Sequence, residues 1–317
     1  MGFTGFAGGK YKRKNPLGPT FDGCVMYNSA SPIMSTAFAD VPTERVREYW
    51  NRRPCNLRHS TAPLGSREYF DQVEARKYTV EPHIPGFAQH ERWAGKRVLE
   101  IGCGLGTDTI NFLRAGASVT AVDLSSKSLE LARQRARVFG FEDRVQFVEA
   151  DAERLSEFVA PAAYDLIYSF GVIHHSPHPE RILDQLRSHY VSSSSTVKLM
   201  VYHRHSWKVA ALILNEANGA WWRLDAAVAK QSEAQTGCPV TYSYSRRGFA
   251  GLLSRHGFSV EEIFVDHIFP YRVEDYVNYR YVKAFPFTLL PEPAMRALER
   301  QFGWHLCVTC RPAASPA

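Results

Sequence analysis

Between Lys96 and His203 the chain alternates short β-branched runs with helical stretches, and no other feature narrows its fold as much. RVLEIG (97–102), SVTAVD (118–123) and VQFVEA (145–150) are separated by TDTINFLRAG (107–116) and SSKSLELARQRARVFG (125–140). YDLIYSF (164–170) and TVKLMVYH (196–203) follow, joined by PERILDQLRSHY (179–190). Strands spaced by helices pair in parallel, and the crossovers that join them are right-handed. The runs are almost continuously apolar, as strands covered on both faces are. The rhythm predicts five βα units in a doubly wound α/β sheet.

The flanking segments break this rhythm. Residues 1–40 are rich in Gly, Ser, Pro and Asn without an apolar period, and are expected to form an extended arm. Residues 41–94 hold two helical stretches, VPTERVREYWNRR and SREYFDQVEARKYTVEPHIPGF, expected as a lid ahead of the 95–203 core. Residues 204–244, with WKVAALIL and the paired Trp221 and Trp222, are expected as a helical insertion over the pocket. Residues 245–317 return to the sheet through FSVEEIFVDH and GWHLCVTC, and a Tyr- and Pro-rich second insertion at 268–303 is expected to roof the site.

Composition excludes several classes of function. The net charge is +6, but no block of five Lys or Arg occurs, which argues against a nucleic-acid partner. No run of 18 apolar residues exists, and MGFTGFAGGKYKRKN lacks the apolar stretch of a secretory signal, so a soluble cytoplasmic protein without a membrane partner is expected. The long arm leaves a homodimer reasonable. Six cysteines at unpatterned spacings read as free thiols. Cys307 and Cys310 have metal spacing but sit in a strand pattern without a second pair, and His178 lies in a loop, so no metal is assigned.

The chemistry concentrates where strands end. Glu100-Ile101-Gly102-Cys103-Gly104-Leu105-Gly106 ends one strand and opens a helix, so its glycines permit a tight turn and its backbone N–H groups face an anionic ligand. Asp123 ends the next strand, where a carboxylate can accept from both hydroxyls of a ribose. Dehydrogenases use the same devices, but their glycines are spaced GxGxxG and here the spacing is GxGxG. Capping of the following helices is the alternative role for Asp123 and Asp151.

Taken in order, Glu100 to Gly106, Asp123, Ala150-Asp151-Ala152 and Ser169-Phe170-Gly171-Val172-Ile173-His174-His175 resemble class I S-adenosylmethionine methyltransferases of the small-molecule type. The resemblance covers about 95–203 plus the last strand. It implies a Rossmann-like sheet of seven mostly parallel strands with helices on both faces and a reversed final strand. It further implies that Glu100, Gly102, Cys103, Gly104 and Gly106 line the methionine and ribose end and that Asp123 binds the ribose. Leu124, Asp151 and Ala152 would meet the adenine, with Ser169 and Phe170 near the sulfonium. S-adenosylmethionine is thus the expected cofactor and S-adenosylhomocysteine the product. The Asn/Asp-Pro-Pro-Tyr sequence used on exocyclic amino groups of nucleic acids is replaced by SFGV, which weakens such a substrate.

His174 and His175 are candidate general bases, although in the resembled family this pair often serves packing and cofactor orientation. Arg52, Arg53 and His59 in the lid, with Tyr202, His203, Tyr271 and Arg272 near the strand ends, are candidate acceptor-binding residues. Guanidinium groups suit carboxylates, so the expected reaction is O-methylation of a small anionic acceptor such as a carboxylic acid. C- or N-methylation, a non-catalytic cofactor-binding partner subunit and a nucleotide-linked dehydrogenase are the alternatives. A solvated helix face is the plain alternative for the arginines.

Overall fold

The computed structural model describes residues 37–215, 228–230 and 237–314. Most of the expected arm and the Trp221–Trp222 pair lie outside the described residues. The five expected βα strands are β1 (Arg97–Ile101), β2 (Ser118–Asp123), β3 (Val145–Glu149), β4 (Leu166–Phe170) and β5 (Thr196–His203). They are joined by β6 (Ser243–Tyr244), β7 (Phe258–Asp266) and β8 (His305–Pro312) in one sheet ordered β3-β2-β1-β4-β5-β8-β7. Strands β1 to β5 pair in parallel, and β8 runs antiparallel between β5 and β7. The sheet has eight strands rather than seven because the two-residue β6 adds a parallel bridge to the end of β5 at Tyr202 and His203. Residues 243 and 244 are therefore strand inside a segment expected to be helical.

Every residue of β5 is buried, as its apolar run demands of a central strand. Its one charge, Lys198, lies with Nζ 5.0 Å from the Phe87 ring and 3.4 Å from Thr309 Oγ1. Val98, Ala121, Leu166, Tyr168 and Met200 form the sheet's part of the main core, with Phe112 and Trp93 packed among them.

The lid folds as three helices, α1 (Thr43–Arg52), α2 (Arg67–Val80) and α3 (His83–Ala88), the second expected stretch dividing at Pro82. Ser66 caps α2 by accepting from the Tyr69 N–H, and Pro82 follows its end. Helices α4 (Thr107–Arg114) and α5 (Ser126–Phe139) follow β1 and β2, and α6 (Pro179–His189) connects β4 to β5. Ser125 caps α5 and Gly140 ends it in the left-handed conformation. Beyond β5 come α7 (Trp207–Asn215), α8 (Arg246–Arg255), α9 (Val273–Tyr276) and α10 (Glu292–Phe302), the last two within the expected second insertion.

The lid is bolted to the core by Arg135 of α5, whose side chain is fully buried. Its guanidinium donates to Glu74 Oε2 of α2 at 2.7 Å, to Thr107 Oγ1 at 2.7 Å and to the Phe70 carbonyl at 3.2 Å. Glu74 also pairs with Arg114 Nη1 at 2.6 Å, so removing Arg135 costs its own buried hydrogen bonds rather than stranding the carboxylate, about 1–3 kcal/mol. Arg135→Ala is expected to lower unfolding stability by about that amount in urea melts. A loss below about 1 kcal/mol would show that α2 is held by packing instead.

Candidate active site

A cavity of about 380 Å³ opens at the C-terminal ends of the parallel strands. Its lining includes Ile101 to Leu105 after β1, Val122 to Leu124 at β2, Ala150 to Ala152 after β3, Phe170 to Val172 after β4, and Met200 and Tyr202 of β5. Ligands of doubly wound sheets bind at this edge because the loops diverge there.

The β1–α4 loop carries three glycines with positive φ, at 102, 104 and 106. A β-carbon on Gly102 would lie 2.2 Å from Val172 Cγ2, so a side chain there would collide with the loop after β4. Gly104 has nothing within 4 Å of that position, so its backbone is bare toward the cavity. Its N–H donates to Asp123 Oδ2 at 2.8 Å, while the Ser125 N–H donates to Oδ1 at 2.8 Å. These bonds orient the carboxylate and tie the two loops together. Burial nonetheless pushes the Asp123 carboxyl up to about 6, against the opposing backbone N–H bonds of Ser125, Gly104 and Leu124.

Of the expected cofactor residues, Gly102, Cys103, Gly104, Asp123, Leu124, Asp151, Ala152 and Phe170 line the cavity. Asp151 also accepts from the Glu153 N–H at 2.9 Å, so capping and lining coexist. Glu100, Gly106 and Ser169 do not line it. The Glu100 carboxyl takes a hydrogen bond from Thr109 Oγ1, and burial with Asp108 nearby raises it to about 8. Gly106 begins α4, where a β-carbon would sit 3.3 Å from Ala132 Cβ, so it serves the approach of α4 to α5. Ser169 is fully buried beside Phe170, because consecutive strand residues face opposite sides.

The histidine pair divides. His174 is fully buried at 4.0 Å between ring centroids from Tyr202, and burial holds its imidazole well below the ordinary range. It does not line the cavity. His175 does line it, 5.3 Å from the Trp50 ring, with Nδ1 at 2.8 Å from the Val240 carbonyl. A carbonyl only accepts, so Nδ1 carries the proton and Nε2 the lone pair.

The acceptor residues divide as well. His59 and Tyr202 line the cavity; Arg52, Arg53, His203, Tyr271 and Arg272 do not. In α1 the cavity face is Thr43, Val46 and Trp50, spaced by three and four, which leaves Arg52 and Arg53 exposed on other faces. His203 is buried with Nδ1 3.1 Å from the Gly303 carbonyl. Arg272 is exposed and paired to Glu274 and Asp275, and Tyr271 packs among Tyr276, Tyr281 and Phe269.

Other lining residues carried no clear sequence signal: Lys77, Glu81, Phe269, Tyr276 and His305. His267 also lines the cavity. Lys77 Nζ is 2.7 Å from Asp108 Oδ2, which also lies 3.4 Å from the Tyr168 hydroxyl. Burial alone would raise Asp108, but Lys77 and His90 hold it well below the carboxylate range. Tyr276 OH lies 3.3 Å from His59 Nε2, and burial lowers His59 to about 4. Although the sequence assigned no metal, Glu81, His267 and His305 bring ligand atoms within 4.8 Å of one another. The five cysteines among the described residues are free thiols.

Residues 98–191 match the family model described as a methyltransferase domain. Residues 98–191 thus form a methyltransferase domain. A ubiquinone biosynthesis O-methyltransferase of Nitrosococcus oceani is 36% identical over 94 residues, which are 30% of this chain and 39% of that protein. The chain thus spans about two fifths of the length of the curated relatives it matches. Magnesium protoporphyrin IX methyltransferase from Synechocystis PCC 6803, solved with S-adenosylhomocysteine, superposes with a TM-score of 0.52 at 15% identity, covering 86% of this chain and 100% of that one. Geranyl diphosphate C-methyltransferase from Streptomyces coelicolor superposes with a TM-score of 0.53 at 14% identity, covering 85% of this chain and 98% of that one. These likenesses establish the fold of the methyltransferase domain. Among the described residues no helix is long and apolar enough to cross a membrane.

The raised Asp123 carboxyl has a thermodynamic sign. The fold binds its proton more tightly than the unfolded chain, whose ordinary value is 3.8, so ionisation weighs against the fold increasingly as pH rises toward 6. Asp123→Asn removes that dependence. The melting temperature of Asp123→Asn relative to wild type is expected to rise between pH 4 and pH 7; a constant difference would contradict the raised value.

Proposed function

We propose that this chain transfers the methyl group of S-adenosylmethionine to an oxygen of a small acceptor. The observation that carries this is one continuous cavity, with the Gly102–Gly104 backbone, Asp123 and Asp151 in its lining together with a set of imidazoles and aromatic rings. The residues fit the cofactor: Gly104 leaves open space at its α-carbon, and Asp123 presents an oriented carboxylate suited to ribose hydroxyls. Asp151 with Ala152 would meet the adenine, and Phe170 would face the sulfonium end. When bound, the cofactor supplies an electrophilic methyl group.

The chain's own residues would align the acceptor and exclude water. Val46 and Trp50 of α1 cover the cavity with apolar surface. His175 is proposed to take the acceptor proton on Nε2, since the Val240 carbonyl fixes its tautomer. The carboxylic-acid form of this reading rested on Arg52 and Arg53, which are exposed and outside the lining. Cavity imidazoles kept neutral by burial suit a hydroxyl or phenol better, and His59 and His267 are of this kind. The relatives named as O-methyltransferases support oxygen as the target.

Incubation with labelled S-adenosylmethionine and separate phenol, alcohol, carboxylic acid and amine acceptors is expected to form S-adenosylhomocysteine with a hydroxylated member. Transfer confined to amines or carbon would overturn the reading. Asp123→Ala is expected to weaken S-adenosylhomocysteine binding by about 1–3 kcal/mol in calorimetry. With a hydroxyl acceptor, His175→Gln should lower kcat by about 10²–10⁴-fold while that affinity is kept. Full kcat in the folded variant would exclude His175 as the base.

A further inference from the structure

We propose that His267, His305 and Glu81 bind one divalent first-row transition-metal ion at the cavity. The donor set is two imidazoles and one carboxylate, all in the cavity lining, with both histidines buried. This composition matches known sites for zinc and for non-haem iron, in which the protein fills part of the coordination sphere and leaves positions for an exogenous oxygen.

Geometry supports ligation. His305 Nε2 lies 3.6 Å from Glu81 Oε1. Donors that share a tetrahedral ion at about 2.1 Å are about 3.4 Å apart, so this pair needs almost no movement. The His267 and His305 rings are 4.6 Å apart between centroids, and the three ligand atoms all fall within 4.8 Å. His267 sits at φ 70, a left-handed backbone that is costly for a residue with a β-carbon. Its backbone is held there by the Trp304 N–H donating to its carbonyl and by its own N–H donating to Asp266 Oδ1, both at 2.7 Å.

A second layer points the same way. A histidine that ligates through Nε2 keeps its proton on Nδ1, and metal-bound histidines almost always donate that proton to an acceptor. His305 Nδ1 lies 3.0 Å from His83 Nε2, and His83 Nδ1 in turn lies 4.0 Å from Asp266 Oδ1. With His305 donating to His83, the remaining His83 proton falls on the nitrogen that faces Asp266. The 4.0 Å to Asp266 is beyond hydrogen-bond reach, so the second layer consists of the His305–His83 bond.

The role of the ion rests on the function proposed above: its open positions would take a hydroxyl oxygen of the acceptor and ease loss of its proton. Binding of the ion does not rest on that function. After dialysis against a chelator, the full chain is titrated with Co²⁺ and followed by its visible d–d absorption, then with Zn²⁺ in competition. One saturable Co²⁺ per chain, displaced by Zn²⁺, is expected. Glu81→Gln and His305→Gln are each expected to weaken it at least about 100-fold, and His83→Gln by about 10–100-fold. Thermal melts and S-adenosylhomocysteine calorimetry on each variant report folding and the cofactor end separately. Lack of saturable binding by the wild-type chain overturns the proposal, as does unchanged affinity in a folded Glu81→Gln. Metal binding with no S-adenosylhomocysteine binding would sink the proposed function and leave the metal site standing.

Discussion

Parallel pairing of β1 to β5 is the constraint on which the rest depends, because it delivers five strand ends to one edge of the sheet. Each loop that leaves that edge is stitched to its neighbour by backbone groups. Gly102 and Cys103 donate to the Val122 carbonyl, Gly104 donates to Asp123, and Ala150 donates to the Asp123 carbonyl. The result is that the glycine-loop side of the cavity is tied together by main-chain bonds, whose placement follows from strand order and glycine positions. That is why a chain 36% identical over less than a third of its length to a ubiquinone biosynthesis O-methyltransferase keeps the same domain.

This division explains what the sequence made legible. The strands, their parallel order and the lining by Gly102, Gly104, Asp123, Asp151 and Phe170 all follow from local signals: a period, a turn requirement and a residue at a strand end. The two-residue β6 carries no period and could not be read. Glu100 and Ser169 lie outside the lining because strand alternation decides which side a residue faces, and one residue of phase reverses it. Arg52 and Arg53 lie outside it for the helical counterpart of that reason: α1 does cover the cavity, but with the face of Val46 and Trp50. The imidazole cluster was out of reach altogether. His83 and His305 meet across 222 residues of sequence, and no local pattern encodes such a contact.

The second insertion packs a small cluster of its own around Ile268, Phe287 and Met295, and a cation–aromatic contact fixes it to α2. Arg76 of α2 is buried, its guanidinium lying 4.0 Å from the Tyr276 ring centroid and 4.2 Å from that of Tyr279, and its Nη2 donates to the Tyr276 carbonyl. A guanidinium sandwiched by rings is held by its planar shape as well as its charge, which a lysine would not reproduce. Tyr276 then reaches His59 in the cavity. Of the tyrosines offered as acceptor-binding residues, Tyr202 lines the cavity, whereas Tyr271 stacks on Tyr276 within this gripping surface.

Helix α2 and its cap therefore act as a ruler along the site. Glu74, Lys77 and Glu81 recur at spacings of three and four, so they lie along one face. Glu74 meets Arg135 behind the β1–α4 loop, Lys77 meets Asp108 at the first turn of α4, and Glu81 meets His305 of β8. The first two are charged pairs with little solvent around them, whose geometry is costly to disturb. They fix the phase and the axial position of the helix. Glu81, at the cap where the helical hydrogen bonding ends, is thereby carried to the imidazoles, and the two buried pairs, each anchored on α4 or α5, set its distance from the glycine loop. Because α4 opens from the glycine loop and α5 follows Asp123, the spacing between the cofactor-binding strand ends and the histidine cluster is set by one rigid helix.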